Sequence, residues 1–421
     1  MTASDQAGSA QAGGDGAAPF RPLEGVRIVD FSTNIAGPYA TMILAQLGAD
    51  VVKVEAPVGD DARQWPPAVG DGSIVHCHVN AGKRGIVLDL GHDAARTIAL
   101  QLAGSADVLL QSMRPGVAER IGIGETAVRQ VNPSILYYDL NAFGSGPGGR
   151  ALPGYDPLVQ AFTGIMRMTG HEGTPPARCA PSVIDLGTGQ WIAMGVLAAM
   201  LARHRGHPVR SIETALVDTA FSLVPQQATA ALITGKRPPR AGSGNPIAAP
   251  YQVYAARDGD IMIAAPNQRL WERVAEVLEA PQLLDDERFT TVAERCRNNR
   301  ALDEAITSRL AAADVDSWVA RFRAAGVPVT RVAGLEEAVR SAAADERGTF
   351  QNLGGMPLVR LPWIVDGQKV PWARPAPHLG EHTVEVLHGL GYDDAAIAGL
   401  LRAGAVRAYA GAADDSKDAC A

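Results

Sequence analysis

The sequence predicts an α/β protein, with a parallel, doubly wound sheet followed by a smaller domain of hairpin and helices. From Val26 to Leu140, short apolar strands alternate with helical stretches, the pattern of a parallel sheet with right-handed crossovers. From Tyr251 the texture changes to a hairpin signal and then a series of helical stretches. At 421 residues, the chain is also too long for one small core.

Each element has a local reason. Val26-Arg27-Ile28-Val29-Asp30-Phe31 is a short β-rich run, broken by Ala36-Gly37-Pro38. Pro38 suits the first turn of a helix, which continues through Met42, Ile43, Leu44 and Leu47 and stops at Gly48. Val51 to Glu55 reads as a second strand and completes a β-α-β unit. Strands at Ile86–Leu90, Asp107–Gln111 and Ile135–Leu140 follow, with helices at Ala94–Ala103 and Val117–Ile121 between them. The run Phe143 to Arg150 is too rich in glycine for a regular element. Helices are expected at 156–168 and, most strongly, at 188–204, with a Gly/Pro-rich loop through Pro181 between them. A glycine-rich loop, 235–250, leads to a hairpin over 251–265 that turns at Asp258-Gly259. Helices at 270–278, 300–312 and 316–325 complete the smaller domain. The expected division is a tail at 1–20, a large domain at 21–225, a linker and small domain at 226–345, and a C-terminal return at 346–421.

Composition narrows the function. A chain with 47% hydrophobic and 20% charged residues is globular, and its net charge of −7 argues against a nucleic-acid binder. Cys77, Cys179, Cys296 and Cys420 lack paired spacing, which suggests free thiols in a reducing compartment. The apolar stretch Trp191–Ala202 is shorter than the roughly 20 residues that span a bilayer. Residues 1–20 lack the basic start and apolar run of a signal peptide. A cytoplasmic protein without membrane or nucleic-acid partners is expected.

Candidate chemistry is sparse. Ser32 to Pro38 holds one glycine where a dinucleotide-binding turn needs three, so Glu55 at the end of the second strand has no fingerprint to accompany it. His76 and His78 flank Cys77 without a second ligand pair, so no metal is expected. Lys83-Arg84 reads first as a solvated turn. With Arg114 and Arg120, it also makes a basic set for the phosphates of an anionic ligand at the carboxyl end of the sheet. Asp185 stands between a glycine-proline loop and the strongest helix. One reading makes it an N-cap for free helix N–H groups. The other makes it a nucleophile, held ionised by those same donors, that attacks an activated carbonyl. Both remain open on the residues alone.

Across these segments the chain resembles the class III CoA-transferases, the CaiB/BaiF family. The resemblance is carried in order by Pro22–Asp30, Ala36-Gly37-Pro38, Leu47–Glu55, Asn80–Arg84, Arg114–Val117, Gly154-Tyr155-Asp156, Asp185–Gly189, Asp285–Phe289, Ala325–Pro328 and Leu379–Thr383. It implies a Rossmann-like large domain, a smaller α+β domain and a homodimer of interlocked rings. It further implies that Asp185 forms an anhydride with the donor acyl group and then an aspartyl-CoA thioester, from which CoA passes to an acceptor acid. By the same resemblance, Ile35, Lys83, Arg84, Leu88, Arg114, Arg120, Tyr155, Gly242 and Gly244 lie along coenzyme A. The loop Gly242-Ser243-Gly244-Asn245-Pro246 would cover the aspartate. Coenzyme A is a substrate in this scheme, and no permanently bound cofactor is expected. Ile35 and Ala56 stand where some members carry Gln and Arg. A racemase branch of the family carries Gly-His-Asp at Gly154-Tyr155-Asp156, and tyrosine, with a pKa near 10, is a poor α-proton base. Transferase is therefore the preferred reading, with a 2-methylacyl-CoA racemase or a non-catalytic acyl-CoA-binding protein as alternatives.

Overall fold

The computed structural model describes residues 20–411; all of the expected tail except Phe20 lies outside them, as does Cys420. In chain order the elements that position the site begin with β1 (Arg27–Phe31), α1 (Ala36–Gln46), β2 (Asp50–Glu55), β3 (Arg84–Leu88), α2 (Asp93–Gly104), β4 (Val108–Gln111), α3 (Val117–Ile121) and β5 (Leu136–Asn141). There follow α4 (Asp156–Phe162), α5 (Ile165–Met168), α6 (Val183–His204), β6 (Ser211–Ala215), α7 (Leu216–Leu223) and α8 (Pro225–Thr234). The last group is β7 (Tyr251–Ala255), β8 (Asp260–Ala264), α9 (Gln268–Val277), α10 (Asn299–Leu310), α11 (Val315–Ala324), β9 (Val329–Arg331) and β10 (Val406–Arg407).

The chain forms two compact units. The first comprises residues through Asn141, Leu186–Thr214 and the segment from Gly348 onward; the second comprises Ala142–Asp185 and Ala215–Arg347. The expected continuous large domain at 21–225 is therefore interrupted, because the chain leaves the sheet after β5 and returns to it along α6. The segment from Gly348 onward belongs to the first unit.

In the first unit, seven strands lie in the order β10-β3-β2-β1-β4-β5-β6. β1 pairs in parallel with β2 and β4, β2 with β3, and β4 with β5, while β10 closes one edge antiparallel to β3. Strand periodicity sets the two faces. Val29, Phe31, Val52, Val54, Ile86 and Leu88 point into a core with Ile98 and Leu102 of α2 and with Val386 and Leu387. The alternate residue Asp30 is fully buried too, and Thr41 of α1 donates to it. Gly48 ends α1 as foreseen, with φ +102°, where a side chain would be strained.

Helix α6 begins at Val183, five residues before the expected start, and runs for 22 residues. By length and composition it is apolar enough to cross a membrane, which corrects the expectation that no stretch is long enough. Gly189 and Gly195 within it are packing residues. A Cβ on Gly189 would lie 2.7 Å from the Ala36 carbonyl oxygen and 2.9 Å from the Tyr39 ring, so α6 crosses α1 at close range. A Cβ on Gly195 would lie 2.7 Å from the Tyr138 hydroxyl.

In the second unit, the β7–β8 hairpin turns at Asp258-Gly259 as expected, and β9 joins it as a third antiparallel strand. Trp271 of α9, Leu302 and Ile306 of α10, and Trp318 and Phe322 of α11 pack on Tyr254, Ile261 and Ile263 of this sheet. The expected single helix at 156–168 is two, because Gly164 adopts φ +82° between α4 and α5.

Alanine is favoured over glycine in a helix interior by roughly 1 kcal/mol. At Gly189 the clash with backbone overrides that preference, and Gly189→Ala is expected to destabilise the protein by about 1–3 kcal/mol in urea unfolding. Gly399, in the helix Asp394–Arg402 with open space around it, is the control: Gly399→Ala is expected to be neutral or stabilising.

Candidate active site

The site is built at the start of α6. Pro157 fixes the backbone of the first turn of α4 just after Asp156. Asp156 is only 2% exposed. Its Oδ1 accepts from Gln160 Nε2 at 2.5 Å, one turn further along α4. Its Oδ2 accepts the N–H of Ile184 at 2.8 Å and that of Asp185 at 3.3 Å. Gln160, itself fully buried, accepts the Cys179 N–H at 3.0 Å and so ties down the loop before α6. The cap of α6 thus comes from another helix, 28 and 29 residues back in sequence.

Asp185 is in the first turn of α6, and its carboxyl group makes no hydrogen bond or ion pair among the described residues. Burial, reinforced by the neighbouring Asp156 carboxylate, pushes its pKa up to about 7. This corrects both readings of the sequence. Asp185 is not the cap, and backbone donors do not hold it ionised, because Asp156 takes them. What remains is an unpaired, half-buried carboxylate whose oxygens are free for chemistry.

Tyr155 immediately precedes α4 and is exposed. Gly242 takes φ +59° and donates its N–H to the Gly170 carbonyl at 3.0 Å. A Cβ there would lie 2.5 Å from the His171 ring, so only glycine fits this turn. Gly244 closes the turn by donating to the Ala241 carbonyl at 2.7 Å. These residues belong to the second unit, as does Asp185.

The other expected coenzyme contacts belong to the first unit, and the structure separates them. The sheet order reverses between β1 and β4, and ligands bind at the carboxyl ends of such strands. Ile35 follows β1 and Arg114 follows β4; the two loops are joined where the Thr33 N–H donates to Ser112 Oγ at 3.0 Å. Arg114 and Arg120 are exposed, and neither guanidinium forms an ion pair among the described residues.

Lys83, Arg84 and Leu88 depart from their expected roles. Lys83 is fully buried, and its Nζ donates to Asp30 Oδ2 at 3.0 Å, Pro38 O at 2.9 Å and Asn80 Oδ1 at 2.9 Å. Burial pulls its pKa down to about 8 against the attraction of Asp30. All three of its hydrogens are engaged, which leaves none for a phosphate. Arg84 opens β3 at the amino end of the sheet, the wrong end for the ligand. There it pairs with Asp50 at 3.0 and 2.7 Å and with Glu385 at 3.0 Å. The Leu88 side chain is part of the hydrophobic core.

Sequence reasoning missed Asp156 as a functional residue, although it falls in a quoted motif. A cap supplied from a distant helix has no local spacing to reveal it. Among the described residues, no three His, Cys, Asp or Glu side chains form a group that could hold a metal ion.

Comparison with known proteins fits this geometry. The model of CoA-transferase family III matches residues 23–383. The chain is 34% identical over 368 residues to the acetyl-CoA:oxalate CoA-transferase of Acetobacter aceti, covering 87% of this chain and 95% of that one. It is 31% identical over 401 residues to the succinyl-CoA:glutarate CoA-transferase of Mus musculus, covering 93% and 91%. The crystal structure of a CaiB/BaiF family protein from Brucella suis superposes with a TM-score of 0.80 at 29% identity, covering 88% and 99%. The chain belongs to CoA-transferase family III, and it is a CoA-transferase.

The reassignment of Lys83 has a direct test. Lys83→Met leaves Asp30 buried without its nearest cation and is expected to cost about 3–5 kcal/mol in urea unfolding. A coenzyme-binding lysine would instead raise KM for the acyl-CoA and leave stability unchanged.

Proposed function

We propose that the chain moves coenzyme A from a donor acyl-CoA to a small carboxylic acid through covalent intermediates on Asp185. The observation that carries this reading is the unpaired, half-buried Asp185 carboxylate at the head of α6, with a pKa pushed up to about 7. An Asp185 oxygen attacks the donor thioester carbonyl; the C–S bond breaks, releasing CoA thiolate and leaving a mixed anhydride. The thiolate then attacks the aspartyl carbonyl, expels the donor acid and forms an aspartyl-CoA thioester. The acceptor carboxylate attacks that carbonyl and releases the thiolate again. The thiolate finally takes the acceptor acyl group from the second anhydride and restores Asp185. The electrons balance with neither ATP nor a redox partner. Each acyl intermediate needs shelter from water, a task that fits the turn at Gly242 and Gly244. Arg114 and Arg120, exposed beside the switch point, are suited to the phosphates of coenzyme A. Tyr155 sits next to Asp156, where it can line the thioester end.

The donors and acceptors named for the relatives, acetyl-CoA with oxalate and succinyl-CoA with glutarate, make short mono- and dicarboxylic acids the acceptors to try first. No permanently bound cofactor is required by these steps. Free thiols at Cys77, Cys179 and Cys296 fit a cytoplasmic address.

A homodimer accompanies this reading. Helix α8 has no buried residue, with Leu232 87% and Ile233 78% exposed. Beside it, Met168, Phe221, Val224, Ala228 and Leu232 line an apolar cavity of about 670 Å³. In the first unit, Met194 and Leu201 of α6 are also exposed. Apolar surface of this kind fits burial against a second copy of the chain, threaded as the family resemblance implies.

Incubation of the protein with acetyl-CoA or succinyl-CoA and a panel of acids is expected to give new acyl-CoA products by mass spectrometry. Asp185→Asn, which disturbs no cap, is expected to stay folded and to lose transfer by at least about 10³-fold. Exchange of α-deuterium into a 2-methylacyl-CoA without transfer would replace this reading with a racemase. Light scattering at micromolar concentration is expected to give the mass of a dimer, and a monomer would contradict the proposed assembly.

A further inference from the structure

We propose that Asp156 is the positioning residue of the transfer reaction: by capping α6 from another helix, it takes the backbone donors that would otherwise hold the Asp185 carboxylate and leaves that carboxylate free to attack. The inference rests on Asp185 being the acyl acceptor.

The geometry gives the reason. An acid in the first turn of a helix ordinarily reaches back to the free N–H groups at the helix start. Those N–H groups include the ones on Ile184 and Asp185, and Asp156 Oδ2 occupies both at 2.8 and 3.3 Å. Asp156 cannot swing away, because it is buried and its second oxygen is held by Gln160. Gln160 is in turn fixed by the Cys179 N–H. The result is a division of labour between two carboxylates a helix apart. One is saturated with donors and structural; the other is stripped of them and reactive.

Few charges surround Asp185. Asp156 acts on it from α4 and, with burial, raises its pKa. Arg178, in the loop before α6, turns its guanidinium onto the carbonyls of Cys179 and Ala180. Tyr155, the other ionisable side chain at the start of α4, is exposed. Removing the Asp156 charge therefore acts on Asp185 in one direction, downward.

Two substitutions separate the cap from the charge. Asp156→Asn keeps an oxygen for the N–H groups of Ile184 and Asp185 but removes the like charge. Asp156→Ala removes both, and the freed N–H groups fall to Asp185. The readout is the titration of the Asp185 carboxyl carbon by ¹³C NMR in aspartate-labelled protein, assigned by its absence in Asp185→Asn, alongside transfer rates over pH. The expected titration midpoint falls by about one pH unit in Asp156→Asn and further in Asp156→Ala. Transfer at pH 7 is expected to stay within about threefold of the parent in Asp156→Asn and to drop more than tenfold in Asp156→Ala. An unmoved Asp185 titration in Asp156→Asn overturns the proposal, whether or not Asp156→Ala folds. A parental transfer rate in folded Asp156→Ala overturns it as well. The titration is read without substrate, so its failure is distinct from that of the proposed function, which falls if Asp185→Asn still transfers CoA.

Discussion

The role proposed for Asp185 depends on which group satisfies the backbone N–H donors at the head of α6. A helix start leaves such donors open, and a carboxylate beside them is stabilised by about 0.3–1 kcal/mol, more where the site is partly buried. Given to Asp185, they would make it a stable, solvated-like anion with little reactivity. Given to Asp156 Oδ2, as they are here, they leave the half-buried Asp185 carboxylate unpaired, with a pKa of about 7. Asp156 supplies this cap from another helix, and the loop before α6 is pinned through Gln160 and Cys179. Gln160, held by the Cys179 N–H, keeps this allocation in place.

The first unit shows the opposite use of buried charge. Lys83 meets Asp30 and Lys53 meets Asp60, both at 3.0 Å and without solvent exposure, and Arg63 grips Glu55 at 2.7 and 2.8 Å. Burial alone would raise the Asp30 carboxyl pKa, but Lys83 and Lys53 outweigh it and hold it at about 2. Opposite charges at this range are costly to break, because a lone survivor would be stranded in a low-dielectric interior. The network lies beneath the loops after β1 and β2, at the carboxyl edge where a nucleotide-like ligand is bound in folds of this kind. It stabilises the platform, and Arg114 and Arg120 stay exposed outside it.

Much of the architecture was legible because strand alternation and turn chemistry are local. The βαβ start, the Gly48 stop and the Asp258-Gly259 turn each follow from a few adjacent residues, and the structure has all three. What was not legible depends on distant partners. Helix α6 is expected from residue 188, whereas it starts at Val183 under a cap from Asp156, and Gly189 within it lets α6 approach α1. Lys83-Arg84 reads as an exposed basic pair because burial and pairing with Asp30 and Asp50 are set by tertiary structure. Asp185 could be singled out from its surroundings, but the group that caps its helix could not, since Asp156 is 29 residues away.

The central claim is that Asp185 becomes acylated, and the most direct measurement is to trap that acylation. The protein is incubated with an acyl-CoA donor and no acceptor, quenched with hydroxylamine and digested, and the modified peptide is sequenced by mass spectrometry. Hydroxylamine displaces CoA from an aspartyl thioester and leaves a hydroxamate on the carboxyl group that carried it. The account predicts that the hydroxamate is found at Asp185, and only after exposure to donor. A donor-dependent hydroxamate on another carboxylate, with Asp185 unmodified, would contradict it.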